Sequence, residues 1–205
     1  MTVRKLDSNE VVLASHNKNK IREFQNILTP YGFILQPIGN LNLPQPLETE
    51  DTFVGNAKIK AHAAAQATGL PAISDDSGLV VEALDGQPGV HTADWAQTPH
   101  GRDYTVAMKQ VWNLLEEKHA PFPRVAQFCS TICLAWPDGH DEIFTGIVDG
   151  QIVWPMRGSI GFGFDPVFKP NGYTITFGEM EPAIKNTISH RALSLQQFCD
   201  TCLNA

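Results

Sequence analysis

Leu70-Pro71-Ala72-Ile73-Ser74-Asp75-Asp76-Ser77-Gly78-Leu79-Val80-Val81 sets two adjacent carboxylates between two apolar segments, each of which reads as a buried strand. Acids in that setting are costly to desolvate and repel each other unless a cation or strong donors meet them, so the pair points to a metal or a proton-transfer task. If the backbone stays extended, the two side chains leave on opposite faces and one of them lines an active cleft; spacing does not say which. The competing reading is a turn near Ser77-Gly78 in which one aspartate caps backbone amides, which leaves the other unexplained.

Outward from this stretch, strand and helix patterns alternate with short connections and without repeats, an α/β arrangement. Upstream, Glu10-Val11-Val12-Leu13-Ala14 reads as a strand, and Ser15-His16-Asn17 leads into a helix whose Ile21, Phe24, Ile27 and Leu28 keep helical spacing until Pro30. A second strand covers 33–38, and Thr52 caps an Ala-rich helix that runs through Ala67 and ends at Gly69. Downstream, 85–102 shows little periodicity, a helix covers 104–118, and 124–136 alternates as a strand. Pro137-Asp138-Gly139 then turns the chain into a hairpin with 142–148, so the sheet is expected to be mixed.

The chain has 205 residues, of which 42% are hydrophobic, enough to enclose a core in one large domain or two packed lobes. A formal net charge of -7 argues against a broad nucleic-acid groove, although a few converging lysines can still hold a polyphosphate. Residues 1–10 carry no apolar signal core and no stretch has membrane-spanning length, so the expectation is a cytoplasmic protein with no membrane partner. Cys199-Asp200-Thr201-Cys202 has the look of half a zinc site, but Cys129 and Cys133 lie about 13 Å apart at strand rise, which spoils tetrahedral convergence. Buried reduced thiols are the better reading of all four.

Polar chemistry gathers at other points along the scaffold. Ser15-His16-Asn17-Lys18-Asn19-Lys20 is a strand-to-helix junction with free amides, a positive dipole end and two lysines, which suits phosphate; the alternative is N-capping by Ser15 or Asn17 with solvated lysines. It is not a Walker loop. In the Ala-rich helix Asn56 and Lys60 share a face at i, i+4 and can point together into a cleft, with a solvated face as the equal alternative, while the acids before it complement the helix dipole. Gly161 and Gly163 flank Phe162 outside any dinucleotide fingerprint and let the backbone approach a flat ligand with an aromatic face to stack on it. Lys185 and Ser189-His190-Arg191 accompany a helix opened by Pro182, and with the earlier lysines they can complete a nucleotide clamp.

These segments, in order, resemble the motifs of the inosine triphosphate pyrophosphatase family, the XTP/dITP diphosphatases: 15–20, Thr52-Phe53 with Asn56-Ala57 and Lys60-Ala61, 74–79, Gly161-Phe162-Gly163-Phe164-Asp165-Pro166 and Ile188-Ser189-His190-Arg191. The resemblance runs nearly end to end. It implies a single domain over 1–205, an elongated two-lobed α/β fold around a mixed sheet with the nucleotide cleft between lobes, and a homodimer. It implies Mg²⁺-dependent hydrolysis of ITP, dITP and XTP to the monophosphate and pyrophosphate. Carried over residue by residue, Ser15, His16, Asn17, Lys18, Asn19 and Lys20 would bind triphosphate with Lys60, Asp76 would be the general base, and Ser77 would contact substrate. Glu48 and Asp76 would hold Mg²⁺, with Glu50 as the rival ligand. Phe162, Gly163, Phe164, Asp165, Lys185, His190 and Arg191 would surround the base and sugar. This chain departs from the family at Gly55, where many members carry Glu, and in the His91 to Asp94 loop. A Maf-like pyrophosphatase acting on other modified nucleotides and a non-enzymatic nucleotide sensor are the alternatives; the intact acids argue against the sensor.

Overall fold

The computed structural model describes residues 3–203 of the chain. In chain order the main elements are β1 (Glu10–Leu13), α1 (Lys18–Leu28), β2 (Ile34–Pro37), α2 (Phe53–Thr68), β3 (Ala72–Val81), β4 (Gln97–Thr98) and β5 (Gly101–Arg102). They continue with α3 (Tyr104–Glu117), β6 (Val125–Ala135), β7 (Asp141–Ile152), β8 (Phe168–Pro170), α4 (Pro182–Ile188) and α5 (His190–Phe198). Six strands form one sheet in the order β2-β1-β3-β6-β7-β8, and β4 and β5 form a small ribbon. β1 runs parallel to β2 and to β3, whereas β7 and β8 are antiparallel, so the sheet is mixed as expected. Among the described residues no helix is long and apolar enough to cross a membrane.

The helix signals hold to within a residue. Thr52 accepts from the Gly55 amide at the start of α2, and Gly69 closes its end with φ +70°, the left-handed conformation that favours glycine. The stretch carrying the two aspartates is one continuous strand, not a strand and a turn: β3 passes through Asp75, Asp76, Ser77 and Gly78 and is buried along nearly its whole length. The β6–β7 hairpin closes where the Trp136 amide donates to the His140 carbonyl at 3.0 Å. Its second strand continues four residues past the expected end, because β8 pairs with its final residues Gly150, Gln151 and Ile152.

The chain falls into two compact units, one comprising the residues up to Asp76, Ser130–Gly146 and Arg191 onward, the other Ser77–Cys129 and Ile147–His190. The first has a core on each face of its sheet. On one face Val11, Leu13, Ile73, Ile132 and Leu134 pack against Phe24 and Leu28 of α1 and Leu195 and Phe198 of α5. On the other, Val12, Ala14, Ala72, Cys133 and Ala135 meet Ala57, Ala61, Ala64 and Ala65 of α2, a face of methyl groups that lets the helix lie close to the sheet. The second unit is built around Leu79, Val81, Phe128, Phe164, Phe168 and Phe177 with Val111 and Leu115 of α3. All four cysteines are buried free thiols, and burial pushes Cys129 and Cys202 up to about 11 and Cys133 and Cys199 up to about 12.

Candidate active site

Strand alternation sends Asp75 and Asp76 to opposite faces of β3, and each face supplies its own cations. Asp76 shares the face of Ala72 and Ser74, toward α2. There the Ser74 hydroxyl donates to the Ala57 carbonyl at 2.6 Å and pins the helix to the strand. One turn further along α2, the Lys60 ammonium donates to Asp76 Oδ1 at 2.9 Å and to Glu48 Oε1 at 3.2 Å. Glu48 also accepts from Gln45 Nε2 at 2.8 Å, which fixes the carboxylate from its outer side. Asp76 Oδ2, by contrast, is buried without a hydrogen-bond partner among the described residues.

Burial pushes the Asp76 carboxyl up; Lys60 and Lys20 pull against that and Glu48 adds to it, leaving the group above its ordinary value. Burial would lower Lys60, but Asp76 and Glu48 outweigh it and keep the ammonium charged. Two carboxylates therefore face one ammonium, a set with one net negative charge and an unsatisfied oxygen.

Asp75 leaves on the other face, among α1, α5 and β6. Its Oδ2 lies 2.7 Å from the Lys20 ammonium and 3.0 Å from Arg191 Nη2, and its Oδ1 accepts from the Ser130 hydroxyl at 2.6 Å. Ser130 in turn meets the Ser194 hydroxyl at 3.0 Å, and Arg191 Nη1 is paired with Glu23. Burial would raise the Asp75 carboxyl, but Arg191 and Lys20 prevail and hold it well below the usual carboxylate range. On Lys20 burial is the larger influence, and its ammonium is lowered despite Asp75.

The 15–20 junction divides its residues between tasks. Asn17 caps α1, its Oδ1 accepting from the Asn19 and Lys20 amides, and Ser15 Oγ accepts from the Asn17 amide at 3.2 Å. Lys20 turns inward while Lys18 and Asn19 stay exposed. His16 Nε2 lies 3.0 Å from the Leu43 carbonyl, and its ring sits over Gly39, where a Cβ would approach Nδ1 to 3.4 Å. Asn56 does not accompany Lys60; it clamps residue 50, accepting from the Glu50 amide and donating to the Glu50 carbonyl. Gly55 lies directly beneath Glu50, whose Cβ would be 2.5 Å from any Cβ at that position. Of the two rival acids, Glu48 is the one that reaches Lys60 and through it Asp76.

A second cluster lies wholly within the other unit. Asp165 Oδ2 accepts from the Phe162 amide at 2.7 Å and from Lys185 Nζ at 2.6 Å, and that ammonium stands 5.0 Å from the Phe162 ring centroid. Gly161 has φ +84°, and a Cβ there would run into Asp165 Oδ2, so the close approach requires glycine. Phe162 keeps a half-buried face, whereas Phe164 is a core residue set edge-on to Tyr104 with centroids 6.0 Å apart; Tyr104 also flanks Gly163. The His190 imidazole stacks on Phe128 at 4.8 Å and 17°. Ser77 follows Asp76 along β3 and is half-buried.

Sequence reasoning missed Glu23, Ser130, Ser194 and Phe128. Only Glu23 left a signal, since it stands three residues after Lys20 on the same face of α1. Arg191 was expected at the base and sugar; its guanidinium is buried between Asp75 and Glu23.

Among the described residues no three His, Cys, Asp or Glu side chains gather as a self-sufficient metal cage. The donor set nevertheless fits Mg²⁺, which takes oxygen ligands, commonly one or two carboxylates completed by substrate phosphates and water. Asp76 and Glu48 supply two carboxylates to one place, on either side of the Lys60 ammonium.

The profile of the Ham1 family matches residues 11–201. Curated relatives include the dITP/XTP pyrophosphatases of Ruegeria pomeroyi, 56% identical over 97% of this chain and 98% of that protein, and of Agrobacterium fabrum, 52% identical over 99% of this chain and all of that protein, 100%. Solved structures include a HAM1 protein from Coxiella burnetii, with TM-score 0.85 and 37% identity over 93% of this chain and 96% of that one. The Ham1 protein of Staphylococcus aureus has TM-score 0.80 and 33% identity over 92% and 95%.

Proposed function

The chain belongs to the Ham1 family, and on that premise we propose that it hydrolyses deaminated purine nucleoside triphosphates, ITP, dITP and XTP, to the monophosphate and pyrophosphate. The observation that carries the chemistry is Asp76: a buried carboxylate with one oxygen on Lys60 and the other without a partner among the described residues. Lys60 fixes Oδ1, so Oδ2 is the atom that orients a water and takes its proton as the water attacks the α-phosphorus. Burial raises the Asp76 carboxyl above its ordinary value, which makes it a better base than an exposed aspartate. Lys20 and Lys60 neutralise charge on the departing pyrophosphate.

Glu48 and Asp76 would hold Mg²⁺, which when bound supplies further neutralisation of the phosphate oxygens. Base recognition falls to Phe162, Lys185 and His190. A group such as the Lys185 ammonium donates to a 6-keto oxygen and is left facing another donor when a 6-amino group enters, the kind of polar mismatch that discriminates strongly. The proposal extends to a homodimer, which the family resemblance implies, and to a cytoplasmic location.

The test is a product-resolved assay with Mg²⁺ across dITP, ITP, XTP, GTP and ATP. Pyrophosphate is expected from the first three, and Asp76→Asn should lower kcat by a factor of about 10² to 10⁴. Orthophosphate as first product, or an Asp76→Asn variant as active as wild type, defeats the reading.

A further inference from the structure

Glu23 has no part in the chemistry above, yet it belongs to the same buried charge set. It stands three residues after Lys20 on α1, and both side chains are drawn to one place: the Lys20 ammonium to Asp75 Oδ2 at 2.7 Å, and Glu23 to the Arg191 guanidinium. Arg191 links them, with Nη1 at Glu23 and Nη2 3.0 Å from the same Asp75 Oδ2 that holds Lys20. Lys20, Asp75, Arg191 and Glu23 thus alternate in sign, two cations against two carboxylates.

Their burial is unequal. The side chains of Asp75 and Arg191 are 1% and 2% exposed, that of Glu23 13%, and that of Lys20 17%. Without the Glu23 charge two cations would share one carboxylate out of water, where like charges interact strongly. Arg191 cannot leave its place on α5. Lys20, the most exposed of the four and on a flexible stem, is the one that yields.

We propose that Glu23 is a positioning residue for phosphate binding: by balancing Arg191, it lets Asp75 hold the Lys20 ammonium where the triphosphate meets it. The inference rests on the reading of Lys20 as a triphosphate ligand, but not on the identity of the base or on hydrolysis. It also gives Arg191 a task that its burial permits, as the strut between Glu23 and Asp75.

The experiment is calorimetric titration with inorganic tripolyphosphate, alongside steady-state kinetics on dITP, for Glu23→Gln, Glu23→Asp, Lys20→Met and the Glu23→Gln/Lys20→Met double variant. Glu23→Gln should weaken tripolyphosphate binding about tenfold, the scale of one charge-assisted hydrogen bond, and lower kcat/KM for dITP through kcat as well as KM, because Lys20 also meets the departing pyrophosphate. In the Lys20→Met background the same change should have no further effect, because Glu23 acts through Lys20. Glu23→Asp, which keeps the charge, should bind within about threefold of wild type. The inference is overturned if Glu23→Gln binds as wild type does, if its loss adds in full to that of Lys20→Met, or if Glu23→Asp loses as much as Glu23→Gln. Should the coupling appear in a protein that releases no pyrophosphate from dITP, the inference stands and the proposed function falls; pyrophosphate release without the coupling upholds the function and overturns the inference.

Discussion

Replacing Asp75 by Asn keeps the shape of the side chain and removes only its charge, so the cost reports on the buried ion cluster. At the observed separations of 2.7 Å to Lys20 and 3.0 Å to Arg191, each attraction is worth about 6 kcal/mol gross at an effective dielectric constant near 20. Desolvation of the three ions offsets much of this, and the two cations repel each other. What remains is the penalty for leaving buried cations with one carboxylate fewer, about 3 to 5 kcal/mol for breaking a buried pair. For a chain of this size that lowers the unfolding midpoint by about 10 °C.

The pH dependence gives the sharper check. The folded-state Asp75 carboxyl is held well below its ordinary value, burial notwithstanding, by Arg191 and Lys20. Its contribution is therefore fully present above the unfolded-state value of about 3.9 and is lost as pH falls toward the folded-state value. Thermal and urea unfolding of wild type and Asp75→Asn should differ by a constant amount from pH 7 to pH 5 and converge in stronger acid. High salt should leave the difference nearly intact, because the pair is buried. A difference below about 1 kcal/mol at pH 7, the range of a surface pair, or one that widens in acid, refutes the account.

Lys60→Met removes the strongest influence that opposes the burial-driven rise of Asp76, so the acidic limb of the kcat/KM profile should move to higher pH; a limb that stays in place or moves down excludes Asp76 as the ionising base. Gly161→Ala should displace Asp165 from the Phe162 amide and loosen Lys185, raising KM for dITP about tenfold with a stability loss of about 1 to 3 kcal/mol; kinetics and thermal unfolding measure the two together.

Local pattern made much of this molecule readable. Thr52 and Gly69 bound α2 because capping chemistry acts within one turn, apolar runs marked β1 and the two ends of β3, and alternation in the sequence marked β6. The six-stranded order was not readable, nor was the length of β7, which is set by β8 from 16 residues further along the chain. Within the site, Lys60 was legible from its place on an alanine face, while Asn56 on that face was misdirected, because its amide answers the backbone of residue 50 and not a cleft. Arg191 was legible as a cation near the chemistry and not as a buried strut. Its partners Glu23 and Asp75 lie 168 and 116 residues away, and no spacing rule links positions that far apart.

The two aspartates divide their roles through the strand geometry itself. One residue of extended backbone reverses the face, and each face of β3 packs against different helices, so neighbouring carboxylates enter unlike electrostatic settings. Toward α1 and α5, Asp75 meets two cations and a hydroxyl and is driven deep into its ionised form, too weak a base to take a proton from water. Toward α2, Asp76 meets one lysine that it must share with Glu48, and burial leaves it above its ordinary value with an oxygen still open. Environments that separate the affinities of two like groups are how one site assigns them different tasks. A turn at Ser77-Gly78 would have set one aspartate to cap backbone amides and left the other without a task. The continuous strand keeps them apart, and that separation makes Asp76 the candidate base and Asp75 its support.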